Sequence, residues 1–174
     1  HALGLEMGLL TAKPVLYIAN TDEELEPPAG LAAHAAAQGA QALALPVATE
    51  LELAAMEPEE AAEFAREMEL GQTRGADAVV AGAYRLLDLV TFFTGSGPPE
   101  ARAWPVPRGT VAAVAAGRIH SDLERGFIRA EVVGWEDLVA AGSWSRAREN
   151  ATLRTEGRDY VVQEGDVLQI RFNV

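Results

Sequence analysis

Residues 15–23 read VLYIANTDE, an apolar run that follows Lys13-Pro14 and ends in four polar residues. The short length of the run and its β-branched and aromatic side chains are typical of a buried parallel strand. Polar residues directly after such a strand lie at its carboxyl end, where open α/β sheets bind their ligands. The stretch therefore predicts an α/β fold with a ligand site that begins at Asn20.

The residues that follow predict a strand–helix–strand unit with a right-handed crossover. Two prolines, Pro27 and Pro28, favour the start of a helix that reaches Gln38, and alternating apolar residues predict a second strand over residues 41–47. A second strand end at residues 46–50 is then expected beside the first. It would place the backbone of three residues over a bound ligand: Ala48, Thr49 and Glu50.

The rest of the chain predicts two further helices and then a change of character. Helices are expected over residues 58–70 and 75–89, which places a domain boundary between residues 89 and 90. Beyond it, short strands alternate with turns and with a helix capped by Thr110, which is typical of a small α+β domain. The elements predicted there are strands at 90–94, 101–106 and 127–133, helices at 110–116 and 135–141, and a hairpin over 160–172.

Composition limits the class of protein and of site. The chain has 174 residues, 49% of them hydrophobic and 23% charged, and it contains no cysteine. These values fit a folded cytoplasmic protein without disulfides, thiolate zinc or a catalytic thiol. No run is long and uncharged enough for a membrane span, the start shows no signal peptide, and the absence of an initiator Met predicts a fragment. The three histidines show no metal-ligand spacing.

Charge is distributed unevenly along the chain, whose net charge is −12. Four basic and fifteen acidic residues give residues 1–90 a charge of −11, whereas ten arginines and eleven acids give residues 91–174 a charge of −1. The arginines of the second half are interpreted either as a solvated, salt-bridged surface or as a contact with RNA or the ribosome. The candidates for such a contact are Arg118, Arg125, Arg129, Arg146 and Arg148.

The N-x-x-E pattern of Asn20 and Glu23 is open to two interpretations. An Asn amide can bond the N7 edge of a purine, and a carboxylate three residues later offers acceptors to the N–H groups of a base. A turn that ends the strand accounts for the same residues. A phosphate-binding G-x-x-x-x-G-K-[ST] loop does not occur in these residues, because the only lysine, Lys13, is followed by proline.

Two other features invite functional interpretations that the sequence supports poorly. His120-Ser121-Asp122 contains the residue types of a catalytic triad, but those roles depend on spatial geometry and sequence neighbours seldom supply it. A structural or partner-contacting loop is the preferred interpretation. The three tryptophans are not at stacking spacing, so burial in a core or an interface is expected for each.

Several stretches together resemble the YchF/Obg-like ATPase family. Residues 9–20 (LLTAKPVLYIAN) are similar to its base-recognition segment, and residues 20–23 to its N-x-x-E, which stands where ordinary GTPases have N-K-x-D. The resemblance covers nearly everything from residue 9 onward and fits the C-terminal half of the family's members. The stretches that continue it are AYRLL at 83–87, TFFT at 91–94, EARAW at 100–104, HSD at 120–122, GFIRA at 126–130 and residues 165–174.

The resemblance implies the C-terminal part of a P-loop NTPase G domain over residues 1–89 and a β-grasp TGS domain over residues 90–174. It also implies binding and hydrolysis of ATP or GTP with Mg²⁺, and association with the ribosome or RNA. By position, Asn20 and Thr21 would contact the base, Thr21 through its backbone. Glu23 would replace the aspartate that reads guanine, which favours ATP. The phosphates and Mg²⁺ would be held by a part of the protein outside these residues, so no catalytic residue is assigned.

A non-catalytic module that binds RNA, the ribosome or a protein is the competing function for this chain, and a structural fragment without partners is a third. A monomer without membrane contact is expected in each case.

Overall fold

The computed structural model describes residues 6–70, 75–95 and 100–173. The chain divides into two compact units, His1–Leu87 (unit 1) and Asp88–Val174 (unit 2). The sequence placed the boundary two residues further along the chain. Each unit contains its own β-sheet.

Unit 1 is a parallel α/β arrangement. Its strands β1 and β2 pair in parallel, with Asn20 opposite Leu45 at their carboxyl ends, as the strand–helix–strand pattern predicted. Helix α3 begins with a proline and two glutamates, which suit the positive end of the helix dipole. The described elements are β1 (Leu16–Asn20), α1 (Ala29–Ala37), β2 (Gln41–Leu45), α2 (Val47–Ala55), α3 (Pro58–Glu67) and α4 (Gly75–Leu86).

A glycine allows α4 to pack closely on both strands of unit 1. A Cβ atom at Gly82 would lie 2.9 Å from Cδ2 of Leu16 and 3.0 Å from Cδ1 of Leu43. These distances are shorter than an ordinary van der Waals contact, so a larger residue would move the leucines. The packing holds the two strands whose ends carry the predicted ligand site.

The second strand ends beside the first, as expected, but its predicted end at residues 46–50 is wrong. Strand β2 stops at Leu45, and α2 begins at Val47. Pro46 cannot donate to the sheet, and its carbonyl accepts the Glu50 N–H at 3.0 Å to form the first turn of the helix. The predicted strand extended two residues too far because Val47 continues the apolar alternation although it is exposed.

Unit 2 is a five-stranded mixed sheet in the order β4-β3-β7-β5-β6. Strands β3 and β7 run parallel and the other neighbours run antiparallel. A hairpin, a helix packed on one face and a last strand inserted centrally make this a β-grasp fold. The elements are β3 (Leu89–Gly95), β4 (Ala101–Pro107), α5 (Ala112–Ile119), α6 (Ser121–Arg125), β5 (Phe127–Gly134), α7 (Trp135–Ala141), α8 (Trp144–Glu149), β6 (Arg154–Glu156) and β7 (Asp166–Phe172).

The core of unit 2 occupies both faces of the sheet. On one face, four buried alanines of α5 pack with Phe92, Val106, Val132 and Leu168. Alanine keeps the helix close to the sheet and favours the helical backbone. On the other face, α7 and α8 cover Val133 together with its neighbours on β3 and β7.

The predicted C-terminal hairpin is wrong. Strand β7 pairs with β3 on one side and β5 on the other, so no edge is left for the residues before it. Those residues bind elsewhere: the Gly165 N–H donates to the Thr91 carbonyl at 2.9 Å, and Val161 forms an isolated bridge with Val111. Local alternation marked the strand correctly but gave no information about its partner.

The start of α5 and the number of elements in unit 2 also differ from the prediction. Helix α5 begins at Ala112, and Val111 is the residue at its N-cap. The Thr110 hydroxyl donates instead to the Pro107 carbonyl at 2.6 Å, which closes the preceding turn. Three elements were not predicted: α6, α8 and the three-residue β6. Ser121 and Asp122, expected in a loop, are the first residues of α6.

Candidate functional site

The carboxyl end of β1 is a polar turn fixed to β2. Asn20 is the last residue of the strand and is exposed, and the Thr21 N–H donates to the Leu45 carbonyl at 3.2 Å. The Thr21 hydroxyl donates to the Glu24 carbonyl at 2.7 Å and closes the turn. The local geometry therefore matches the turn interpretation. The groups of this turn that face outward are the ones available to a ligand.

The Asn20 side chain bridges the two strand ends. Its Oδ1 accepts the N–H of Val47, the first residue of α2, at 3.4 Å. This N–H has no partner within its own helix, so the contact satisfies a group that would otherwise be open. The Asn20 amide nitrogen donates to no described residue, and it remains available at an exposed position.

Glu23 is exposed and forms no hydrogen bond or ion pair with the part of the chain that the structure describes. It lies two residues after Thr21, in the turn that leaves β1. Its carboxylate is therefore unconstrained by the fold, in contrast to the Asn20 carbonyl.

The residues predicted to close over the ligand lie in the first turn of α2. The N–H groups of Ala48 and Thr49 have no carbonyl four residues earlier within the helix, whereas the Glu50 N–H is used by Pro46. The Glu50 carboxylate lies against the start of α4, where a Cβ atom at Gly75 would collide with its Oε2. The structure thus brings the helix start to Asn20, while the Glu50 side chain packs on α4.

The five predicted arginines are all exposed but occupy different parts of unit 2. Arg118 lies in the last turn of α5, Arg125 ends α6 in an ion pair with Asp122, and Arg146 lies on α8. Arg129 lies on β5 and Arg148 on α8, where its side chain reaches Glu131 of β5.

A sixth arginine, Arg171, joins Arg129 and Arg148. Its Cα is the register partner of Arg129, and its Nη2 lies 3.0 Å from Oε2 of Glu131. Arg148 Nη2 lies 2.8 Å from the other oxygen of the same carboxylate. We call the surface formed by these three arginines around Glu131 the arginine face. The sequence analysis missed Arg171, and only the register of β5 and β7 identifies its neighbours.

The His120-Ser121-Asp122 stretch, which contains the residue types of a catalytic triad, has a structural role. His120 is the N-cap of α6, and its Nδ1 accepts the Asp122 N–H at 3.2 Å. The ring therefore bonds the backbone of the residue that a triad would use as its acid. Two tryptophans are partly buried, as expected: Trp104 donates to Thr94 Oγ1 at 2.9 Å and Trp144 to the Gly95 carbonyl at 3.2 Å.

Trp135 is about half exposed, at 49%, and it lines an open cavity of about 810 Å³ beside α7 and α8. Phe93, Leu138 and Trp144 contribute other walls, so the cavity is mainly apolar. This exposure excludes burial of Trp135 in the core of unit 2, so that of the two expected positions only an interface remains for it.

Neither a metal site nor a membrane span is found in the described residues. Over residues 6–70, 75–95 and 100–173, no three His, Asp or Glu side chains are grouped so that they could hold a metal ion. The described residues therefore offer no three-ligand set that would hold Mg²⁺ by itself. In the same part of the chain, no helix is long and apolar enough to cross a membrane.

Comparison with known proteins gives consistent matches. Residues 89–173 match the family described as YchF-GTPase_C, protein of unknown function (DUF933). The chain is 44% identical to the ribosome-binding ATPase YchF of Bacillus subtilis (strain 168), over 97% of this chain and 48% of the relative. It is 40% identical to the protein of the same name from Escherichia coli O157:H7, over 97% and 47%. The chain thus spans about half the length of the curated relatives it matches.

Solved structures agree with this result. The Schizosaccharomyces pombe YchF GTPase is 27% identical, with a TM-score of 0.73 over 95% of this chain and 45% of that one. A GTP-binding protein from Pyrococcus horikoshii OT3, at 18% identity and a TM-score of 0.63, supports the fold alone.

The fold and its likeness to a solved structure define the class of the chain: the C-terminal part of a P-loop NTPase G domain, followed by a β-grasp domain. Within this class, the chain belongs to the YchF family and matches the C-terminal half of its members.

Proposed function

We propose that this chain supplies the base-recognition end of a YchF-type NTPase that binds and hydrolyses ATP or GTP. The observation that carries the proposal is the Asn20 side chain, held by the first N–H of α2 at the carboxyl end of β1. Unit 2 would be the TGS domain of the same protein. The names of the Bacillus and Escherichia relatives, both ribosome-binding ATPases, support this assignment.

The base would be read by three residues of one turn. With its Oδ1 on Val47, Asn20 would donate from its amide nitrogen to N7, which adenine and guanine share. Thr21 would contribute backbone only, because its hydroxyl bonds Glu24. Glu23 would therefore carry the choice between bases.

Glu23 favours ATP over GTP for a geometric reason. Guanine offers a carboxylate two N–H donors, N1–H and the 2-amino group, and an aspartate at this position would meet both. The longer glutamate carries the same charge on one more methylene, which changes the position of its oxygens. The N–H groups of Ala48 and Thr49 would add backbone donors near the base, and Glu50 would support this helix start from its contact with α4.

Phosphate binding and Mg²⁺ are assigned to a part of the protein outside these 174 residues. The sequence holds a single lysine, followed by proline, and the described residues offer no cluster of metal ligands. Hydrolysis is therefore proposed for the whole protein, and no catalytic residue is assigned to this chain.

Calorimetric titration of the full-length protein with ATP and with GTP tests the base assignment. In a Glu23→Asp variant, we expect the ratio of the two dissociation constants to move toward GTP. Glu26→Asp makes the same chemical change three residues away and should leave the ratio unaltered. An unchanged ratio in Glu23→Asp would overturn the role given to Glu23.

A second candidate function is favoured by the arginine face: unit 2 would act as a non-catalytic module that binds RNA or the ribosome. A cytoplasmic, monomeric protein suits either function. Co-sedimentation of the chain with ribosomes at increasing salt tests this candidate, because phosphate contacts weaken steeply with salt. Sedimentation that does not depend on salt would count against phosphate contact.

A further inference from the structure

The arginine face is formed by three strands and one helix of unit 2. Arg129 faces Arg171 across β5 and β7, and Glu131 lies between Gln169 of β7 and Thr155 of β6 in the sheet register. Arg148 reaches the same carboxylate from α8. Alternation along the strands places these side chains on one side of the sheet, opposite the main core.

Glu131 fixes two guanidinium groups in the arginine face. The residue is only 8% exposed, and each of its carboxylate oxygens accepts from a different arginine. The arginines themselves remain open, with side chains 61% exposed at Arg148 and 49% exposed at Arg171. Each guanidinium has five N–H donors in a planar fork, so donors remain for an external acceptor.

The arginine face carries more positive charge than its one carboxylate, Glu131, neutralises. Three arginines surround one carboxylate, which pairs with two of them, and the Arg129 side chain forms no hydrogen bond or ion pair with the described residues. Like charges directly opposite each other in a sheet are destabilising. Elsewhere in unit 2, Arg102, Arg108 and Arg125 each have an acidic neighbour of their own. A surplus of cations is notable in a chain with a net charge of −12.

We infer that the arginine face binds the phosphate backbone of RNA, with Glu131 as a positioning residue. The inference rests on the RNA association in the proposed function and assigns it to particular residues. Arginine forks match phosphate oxygens in pairs, and orienting them in advance lowers the ordering cost of binding. The proposed RNA site includes Arg171 and does not include Arg118 or Arg125.

RNA fits the arginine face better than a protein partner does. Protein interfaces concentrate their binding energy in buried aromatic and aliphatic anchors. The arginine face consists of charged side chains, and the two register partners of Glu131, Thr155 and Gln169, are polar. Interfaces with nucleic acid are polar, wet and strongly positive on the protein side.

Fluorescence anisotropy with a labelled oligouridine tests the inference on the whole 174-residue chain, without nucleotide. We compare the parent chain with an Arg129→Gln/Arg171→Gln double variant over a series of salt concentrations. We expect affinity to fall roughly tenfold or more, as two charge-assisted contacts are lost. The slope of log affinity against log salt should fall in magnitude by about 0.7 per contact, or about 1.4 in all.

The matched control replaces two other arginines of unit 2 whose side chains are exposed to a similar extent. An Arg102→Gln/Arg108→Gln variant carries the same charge change on β4 and beyond its end, and should keep most of the affinity and the slope. An equal loss in both double variants would reduce the effect to net charge and overturn the inference. So would an unchanged affinity in Arg129→Gln/Arg171→Gln.

A labelled polyglutamate peptide measured in parallel separates RNA from an acidic protein partner. Polyglutamate binding that depends on Arg129 and Arg171, without oligouridine binding, would overturn the RNA assignment. Circular dichroism checks that each variant is folded. Failure of base recognition at Glu23 would leave these results unaffected, because neither ATP nor GTP is present in the assay.

Discussion

Unit 1 and unit 2 are similar in length, but they bury apolar side chains to different extents. Among the described residues, unit 1 buries only Ala35, Leu53, Ala65 and Pro46 apart from glycines, and the other buried apolar residues belong to unit 2. Unit 1 has a two-stranded parallel sheet, whereas unit 2 has five strands with helices on both faces. Parallel sheets are normally covered on both faces, yet Ile18 on β1 is 43% exposed.

The difference shows that the two units support their candidate sites to different extents. Unit 2 has a closed core and carries its arginine face on a rigid sheet, so this surface is well defined by the unit itself. Unit 1 carries the candidate base site on strand ends that few buried side chains support. We therefore expect unit 2 to be the more stable of the two, and the following predictions test this comparison.

The largest expected effect is a cavity in the core of unit 2. Phe92 is fully buried, and Phe92→Ala should lower the free energy of unfolding by about 3–5 kcal/mol. Urea unfolding followed by tryptophan fluorescence measures this change, because all three tryptophans lie in unit 2. Leu53→Ala, in unit 1, serves as the control and should leave the tryptophan transition in place. A shift of that transition in Leu53→Ala would contradict the independence of the two units.

The next prediction concerns a close approach of backbone in unit 2. A Cβ atom at Gly126 would collide with the carbonyl oxygen of Asn173, which a rotamer change cannot relieve. Gly126→Ala should therefore cost about 1–3 kcal/mol in the same fluorescence measurement. Gly157→Ala is a matched control, since a Cβ atom there meets nothing within 4 Å. Equal stability of the two variants would show that the approach is not tight.

Removal of the shared carboxylate should have a smaller effect. Glu131→Gln breaks two ion pairs whose arginines are about half exposed, so we expect a loss of about 1–2 kcal/mol. The loss should shrink with added salt, which screens exposed charges. Glu149→Gln, on an exposed neighbour in α8, should change little. A loss in Glu131→Gln that salt does not alter would argue for packing instead of charge.

The smallest expected effect is a loss of stability of unit 2 at alkaline pH. Burial raises the pKa of Tyr160 above its usual value of 10.0, and its hydroxyl donates to Asp166 Oδ2 at 2.8 Å. The folded state therefore holds this proton more tightly than the unfolded state does. This contribution to stability is complete below pH 10 and is lost as pH rises through the raised pKa.

Tyr160→Phe removes that titration. The variant should lose about 1 kcal/mol at neutral pH through the missing hydrogen bond and then show a weaker decline of the urea midpoint above pH 10. Tyr17→Phe, in unit 1, should not affect the tryptophan signal. A parallel decline in Tyr160→Phe and the parent chain would assign the alkaline loss to other groups.

The sequence predicted elements better than it predicted their partners. The run at residues 15–19 identified β1 because a short, β-branched apolar segment that ends abruptly in polar residues is characteristic of a strand. The predicted burial of this strand is wrong, since none of its residues is buried in the described structure. The ligand site at its end was predicted from topology and stays a prediction. The strand at residues 166–172 was also recognised, but its position between β3 and β5 depends on contacts far apart in sequence. The hairpin prediction failed for this reason.

The same limit applies to the candidate sites. Asn20 and Glu23 could be selected because they are close in sequence and follow one strand. The arginine face depends on which residues of β5 and β7 lie opposite each other, so Arg171 was missed and Arg118 was included. The helix start at Val47 was hidden because alternation of apolar residues continued past Pro46.

The position of β7 has a consequence for synthesis of the protein. This strand comes last in the sheet's sequence order but lies at its centre, between β3 and β5. As the chain leaves the ribosome, β3 and β4 can form their local hairpin early, whereas the sheet cannot join them to β5 before residues 166–172 emerge. A chain interrupted before Asp166 therefore lacks the strand that connects the two parts of the sheet.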